Sequence, residues 1–176
     1  MKVFVSYARD DQAAVRSLVD DLVRARVQVW IDEELVGGDA WWTAILEQIR
    51  GCEVFLFALS DKSLDSKPCR AEWGYAQALG LPILPVEIGP AANRRADPIF
   101  ALHTLDYRDP TKNSAFDLIS ALHERARLRA ELPDPLPEPP RIPYEYLQRL
   151  FAAIHCRSRT PCPSANVVRA AQRAEC

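Results

Sequence analysis

Cys52-Glu53-Val54-Phe55-Leu56-Phe57-Ala58-Leu59-Ser60 is the stretch on which the fold turns. Its apolar run, bounded by Cys52-Glu53 on one side and Ser60-Asp61 on the other, predicts a central strand over residues 54–59 covered on both faces. Working outward toward the N-terminus, residues 3–6 read as a second short buried strand, with Asp10 or Asp11 as the N-cap of the helix that follows. That helix carries Ala14, Leu18, Val19, Leu22 and Val23 at helical spacing. Residues 27–31 form another β-branched strand, closed by the acidic turn Asp32-Glu33-Glu34. Residues 35–40, with Gly37 and Gly38 paired, read as a loop, and Asp39 can cap a helix over residues 41–50.

Toward the C-terminus the same alternation continues. Residues 60–67 read as a polar loop. Ser66 and Pro68 then supply a capping hydroxyl and a first-turn proline for a helix that runs to about Leu79 and stops at Gly80. Residues 82–86 form a fourth strand, which Pro85 restricts to an edge or a strand end. Residues 102–107 form a fifth, and residues 114–129 the last helix. Strand and helix alternating in this way imply an α/β domain with five parallel strands, right-handed crossovers and helices on both faces. In such sheets the ligand crevice lies at the carboxyl ends of the strands, near the topological switch point.

This α/β domain spans residues 1–130. Residues 131–143 form a Pro-rich linker, since six prolines between positions 133 and 143 bar helix and central strand alike. In the tail, 144–176, Leu147, Leu150, Phe151 and Ile154 recur at helical spacing and predict one short amphipathic helix over residues 144–154, followed by a mobile end.

Composition narrows the function classes. The 176 residues carry a net charge of −2, with 48% apolar and 26% charged side chains, ordinary for a globular protein. Nucleic acid and anionic membrane surfaces are not expected partners, because both attract clustered Lys and Arg. From Arg141 onward six Arg stand against two Glu, a mild basicity read as a solvated tail. The apolar start is too brief for a signal sequence and no stretch reaches spanning length, so a cytoplasmic location is expected. Five cysteines without a C-x-x-C pair, and three histidines outside any ligand spacing, encode neither a metal site nor a disulfide framework. Gly37-Gly38 lacks the spacing of a phosphate loop or a dinucleotide fingerprint.

Three segments, taken in order, carry a resemblance. They are Val3-Phe4-Val5-Ser6-Tyr7 with Arg9-Asp10-Asp11; Val29-Trp30-Ile31-Asp32 with residues 35–42; and the 52–60 run with Ser63-Leu64, Ser66 and Cys69-Arg70-Ala71-Glu72. In this order the chain resembles the Toll/interleukin-1 receptor (TIR) domain family, in its bacterial NAD+-cleaving form. The resemblance implies a flavodoxin-like arrangement of the five-stranded sheet. It also implies that Glu72, matching Cys-x-x-Glu, is the catalytic glutamate.

A carboxylate beside the ribose can stabilise the oxocarbenium-like sugar left when nicotinamide departs. The plainer reading of Glu72 is a boundary glutamate stabilised by its helix N-terminus. By analogy Ser6, Tyr7, Arg9, Trp41, Trp42 and Cys69 line the substrate cleft. Tyr7 and Trp41 or Trp42 would stack on a base, Arg9 would meet a phosphate and Ser6 would hydrogen-bond the ligand. Adjacent tryptophans on a helix cannot both face one core, so one of them is expected at the cleft. Bacterial NAD+-cleaving relatives often carry Trp where this chain has Pro68.

The implied partners are NAD+ as substrate, with no bound cofactor, and other TIR domains in a homo-oligomer. The implied reaction is NAD+ glycohydrolysis, or cyclisation to an ADP-ribose isomer, in immune-type signalling or NAD+ depletion. A non-catalytic TIR–TIR interaction module, and an enzyme acting on a free nucleotide, are the alternatives.

Overall fold

The computed structural model describes residues 1–32, 39–91 and 97–143. The tail helix expected over residues 144–154 and the loop at 35–38 lie outside the described residues. Five strands, β1 (Lys2–Ser6), β2 (Gln28–Ile31), β3 (Val54–Leu59), β4 (Ile83–Glu87) and β5 (Leu105–Asp106), form one parallel sheet in the order β2-β1-β3-β4-β5. The helices are α1 (Gln12–Arg24), α2 (Asp39–Gly51), α3 (Asp61–Asp65), α4 (Lys67–Ala78) and α5 (Lys112–Ala126). No helix among the described residues is long and apolar enough to cross a membrane.

Alternation along the inner strands sorts the side chains into two cores. Val3, Val5, Val54, Leu56 and Ala58 meet Val15, Leu18 and Leu22 of α1 and Leu118 and Leu122 of α5. Phe4, Phe55, Phe57 and Leu59 face the other way, onto Ile45 and Ile49 of α2 and Cys69, Trp73 and Ala76 of α4. All six residues of β3 are fully buried, as a strand covered on both faces requires. On the α2/α4 face the register sets Trp30, Phe4 and Phe55 side by side, and their rings stack at centroid distances of 4.9 and 5.4 Å.

Several local expectations are corrected. Asp11 does not cap α1 with its side chain; a 3-10 turn (Arg9–Asp11) precedes the helix, and the Asp11 carboxylate accepts from the Ser60 hydroxyl and pairs with Lys62. Val15 replaces Ala14 and Val23 in the buried stripe of α1, both of which are exposed. Residues 61–65, expected as loop, form α3, because Ser60 and Ser63 build a reciprocal capping box. The fifth strand shrinks to two residues after a 3-10 turn, Pro98–Ala101, and α5 starts earlier, at Lys112, behind a Thr111–Ser114 capping box.

β4 is flanked on both sides despite Pro85. The Ile88 N–H donates to Leu59 while Glu87 accepts from Tyr107, so Pro85, two residues before Glu87, faces the β5 side. β5 begins only opposite Val86, and the missing donor of Pro85 therefore interrupts no ladder.

The Pro-rich segment lies back on the domain. Leu132 and Ile142 pack against the α2/α4 core, the Arg129 guanidinium donates to the Arg50 carbonyl, and the Trp42 indole N–H donates to the Pro140 carbonyl at 2.8 Å. The segment forms a strap across α2.

Candidate active site

The site begins at the last residue of β1. Ser6 shares the face of Phe4, so its side chain emerges beneath α4; Tyr7, next in line, turns to the α1 side and packs at the edge of that core. Helix α4 is started by Ser66, whose hydroxyl accepts from the Cys69 N–H, with Pro68 in the first turn. This start sets Glu72 one turn inside the helix, on its inner face. Glu72 is 3% exposed and Ser6 1%. The Ser6 hydroxyl donates to Glu72 Oε2 at 2.6 Å, the length of a charge-assisted bond.

Two further residues close around this pair. The Tyr7 hydroxyl donates to the Asp32 carbonyl at 3.2 Å, which ties the end of β1 to the end of β2. Arg9 Nη2 stands 3.6 Å from Asp32 Oδ2, too long for a hydrogen bond. Arg9 Nε and Nη2 are both shielded from solvent and have no hydrogen-bond partner among the described residues. Tyr7, Arg9, Asp32, Pro68 and Glu72 line a crevice of about 20 Å³ at the carboxyl end of β1. That is room for about one water. The crevice lies at the switch point, where the strand order reverses between β1 and β3.

Of the residues expected in the cleft, Tyr7, Arg9 and Glu72 line the crevice; Ser6 lies behind it, and its hydroxyl, expected to meet a ligand, donates to Glu72 instead. Trp41, Trp42 and Cys69 do not line the crevice. Trp42 is 4% exposed in the α2/α4 core and bonded to the strap, and Trp41 packs half-buried against the same core. Cys69 is 2% exposed, its side chain directed into that core from the first turn of α4. Among the lining residues that sequence reasoning missed, Asp32 is the one that carries a charge. Its place immediately after a strand, at the carboxyl end of the sheet, is the signal that could have found it. Pro68, noted for lacking an aromatic ring, supplies part of the wall itself. Among the described residues no three of His, Cys, Asp or Glu gather into a metal-binding group.

This arrangement provides a buried, oriented carboxylate beside two guanidinium donors that make no hydrogen bond among the described residues. Its chemistry suits a substrate that develops positive charge next to Glu72 and carries an anion near Arg9.

The family model for the TIR domain matches residues 3–122. Among solved structures, the TIR domain of the Toll-related receptor TRR-2 from Hydra magnipapillata superposes with a TM-score of 0.56 at 18% identity, over 71% of this chain and 97% of that one. The CMP N-glycosidase BcmB of Clostridium botulinum superposes with a TM-score of 0.51 at 16% identity, over 69% of this chain and 98% of that one. No curated protein matches the chain significantly in sequence.

Proposed function

Because this chain belongs to the TIR domain family and holds a buried glutamate against the end of its first strand, we propose that it cleaves the nicotinamide–ribose bond of NAD+, with Glu72 as the catalytic carboxylate. The observation that carries the reading is the buried glutamate that lines the crevice while the Ser6 hydroxyl fixes one of its oxygens from behind. A buried carboxylate with no purpose is costly. Here one oxygen is fixed by Ser6 and the group faces a cavity at the ligand end of the sheet.

In the reaction the C–N bond breaks, its electron pair leaves with neutral nicotinamide, and the ribose carbon becomes oxocarbenium-like. The Glu72 carboxylate stabilises that charge until water adds and a proton is released, giving ADP-ribose. Capture of the same carbon by the adenine ring would give a cyclic isomer instead. Arg9 meets a phosphate oxygen with the two donors that make no hydrogen bond among the described residues, exchanging its loose ion pair with Asp32 for that contact. The crevice is shallow for one chain, which favours activity in an assembly of TIR domains, and the rate per protomer should rise with protein concentration.

A second reading, cleavage of a free nucleotide, draws support from the fold shared with a CMP N-glycosidase. One experiment separates the readings. Concentrated protein, with and without a crowding agent, is incubated with NAD+, nicotinamide mononucleotide or CMP, and base release is followed for wild type and Glu72→Gln. Nicotinamide release that falls by about 10²-fold or more in Glu72→Gln, with an unchanged melting temperature, is expected. Release from CMP alone favours the second reading. Equal release by both proteins overturns Glu72 as the catalytic carboxylate, and no release under any condition overturns catalysis and leaves an interaction module.

A further inference from the structure

Tyr7 has two sides. One lines the Glu72 crevice, and the other lines a separate groove of about 230 Å³ between α1 and the edge strand β2. The floor of this groove is apolar, made of Val15, Val19 and Ile31, and its rim carries Gln12, Arg16 and Asp20. The five α1 residues fall at i, i+3, i+4, i+7 and i+8, one continuous face of the helix. Arg16 and Asp20 are neighbours at i, i+4, yet neither side chain takes part in an ion pair or hydrogen bond among the described residues. The volume is below the range of about 300–1,000 Å³ found for complete small-molecule sites. It therefore suits one ring system of a ligand whose remainder lies elsewhere, and the crevice on the far side of Tyr7 is where that remainder would react.

The geometry points to this groove as the subsite for the adenosine half of a dinucleotide, an inference that rests on the NAD+ reading above. The adenine ring lies on Val15, Val19 and Ile31 with Tyr7 at its edge. Asp20 accepts from the exocyclic amine, and the Gln12 amide serves both donor and acceptor positions of the base. Arg9 lines the crevice and Arg16 the groove, with Tyr7 common to both, so each of the two compartments that a pyrophosphate would join carries one cation. The groove thus gives the site a preference for a dinucleotide over a mononucleotide that ends at its first phosphate.

The test compares kcat/KM for NAD+ with that for nicotinamide mononucleotide. Val19→Trp, which fills the groove, and Arg16→Ala, which removes its cation, should each lower the NAD+/mononucleotide ratio, by about 10-fold and several-fold respectively. A ratio unchanged in both variants overturns the subsite while leaving NAD+ cleavage intact. Binding of AMP to Glu72→Gln protein, followed by NMR, needs no turnover. Shifts at Val15, Val19 and Ile31 that vanish in the Arg16→Ala background support the groove even if no substrate is cleaved, in which case the catalytic reading alone fails. Absence of AMP binding, or shifts elsewhere, counts against the groove. Arg16 is exposed, so its variant stays informative should Val19→Trp not fold.

Discussion

Ser6 and Glu72 were legible as residues of one cleft only through the family resemblance; the bond between them was not, because it depends on strand alternation sending Ser6 to the α4 side and on where Ser66 and Pro68 start α4. The pair has a measurable consequence. Ser6→Ala removes the donor and leaves a buried carboxylate oxygen without it, which should lower stability by about 1–3 kcal/mol in denaturant melts. It should also lower kcat more than it raises KM.

The tryptophans were not legible in the same way. Which of Trp41 and Trp42 is covered depends on the strap that bonds the Trp42 indole, and a run of prolines does not announce where it will lie. Two titratable groups behave as their surroundings dictate. Burial pushes the Cys52 thiol up to about 11, so it should resist alkylation at neutral pH until the protein is unfolded, as mass spectrometry would show.

The hydrogen bond from Arg70 holds the Asp97 carboxyl below its ordinary value near 3.8. A depressed folded value means that the stabilisation is complete above that ordinary value and is lost as pH falls through the lower, folded one. Wild type should therefore melt above Asp97→Asn at pH 6, by no more than about 1 kcal/mol, and the two should converge in acid.

At the scale of elements, α1 and α4 end in the same way. In each, the second residue past the helix bonds back three residues and the one beyond it bonds back five: Arg26 to Val23 and Val27 to Leu22, Gly80 to Gln77 and Leu81 to Ala76. Both turns need a left-handed residue, and φ is +60° at Arg26 and +66° at Gly80. Gly80 announces its turn in the sequence and Arg26 does not, which is why the second stop was readable and the first was inferred only from the strand after it. Gly80→Ala should cost about 1 kcal/mol even though its new Cβ would meet nothing within 4 Å, and Arg26→Gly should recover a similar amount, both read from equilibrium unfolding. Strand β3 was readable to the residue because an unbroken apolar run of that length has one use here. Helix α3 was not, since its signal is the Ser60–Ser63 box rather than any apolar period. Pro85 misled toward an edge because the rule concerns which side of the strand lacks a neighbour, and that depends on how late β5 begins.

At the scale of the molecule, alternation of strand and helix foretold a parallel sheet with two covered faces, whereas the return of residues 129–143 across α2 depended on tertiary contacts. Removing everything after Ala126 should strip Leu132 and Ile142 from the α2/α4 core and leave the Trp42 indole unbonded. The expected fall in melting temperature is about 2–4 °C for each kcal/mol lost in a protein of this size, relative to a chain ending at Pro143. If the strap merely rests on the surface, the two truncations will melt together.

The small crevice beside Glu72 finally says something about time. A pocket that admits one water cannot accept a nucleotide by collision alone; its walls must part first, and Tyr7 and Arg9, both held by Asp32, are what must let go. Binding then has a first-order step before or after encounter. Stopped-flow traces should approach a ceiling as ligand concentration rises, and Asp32→Asn, by loosening the Arg9 contact, should lift that ceiling.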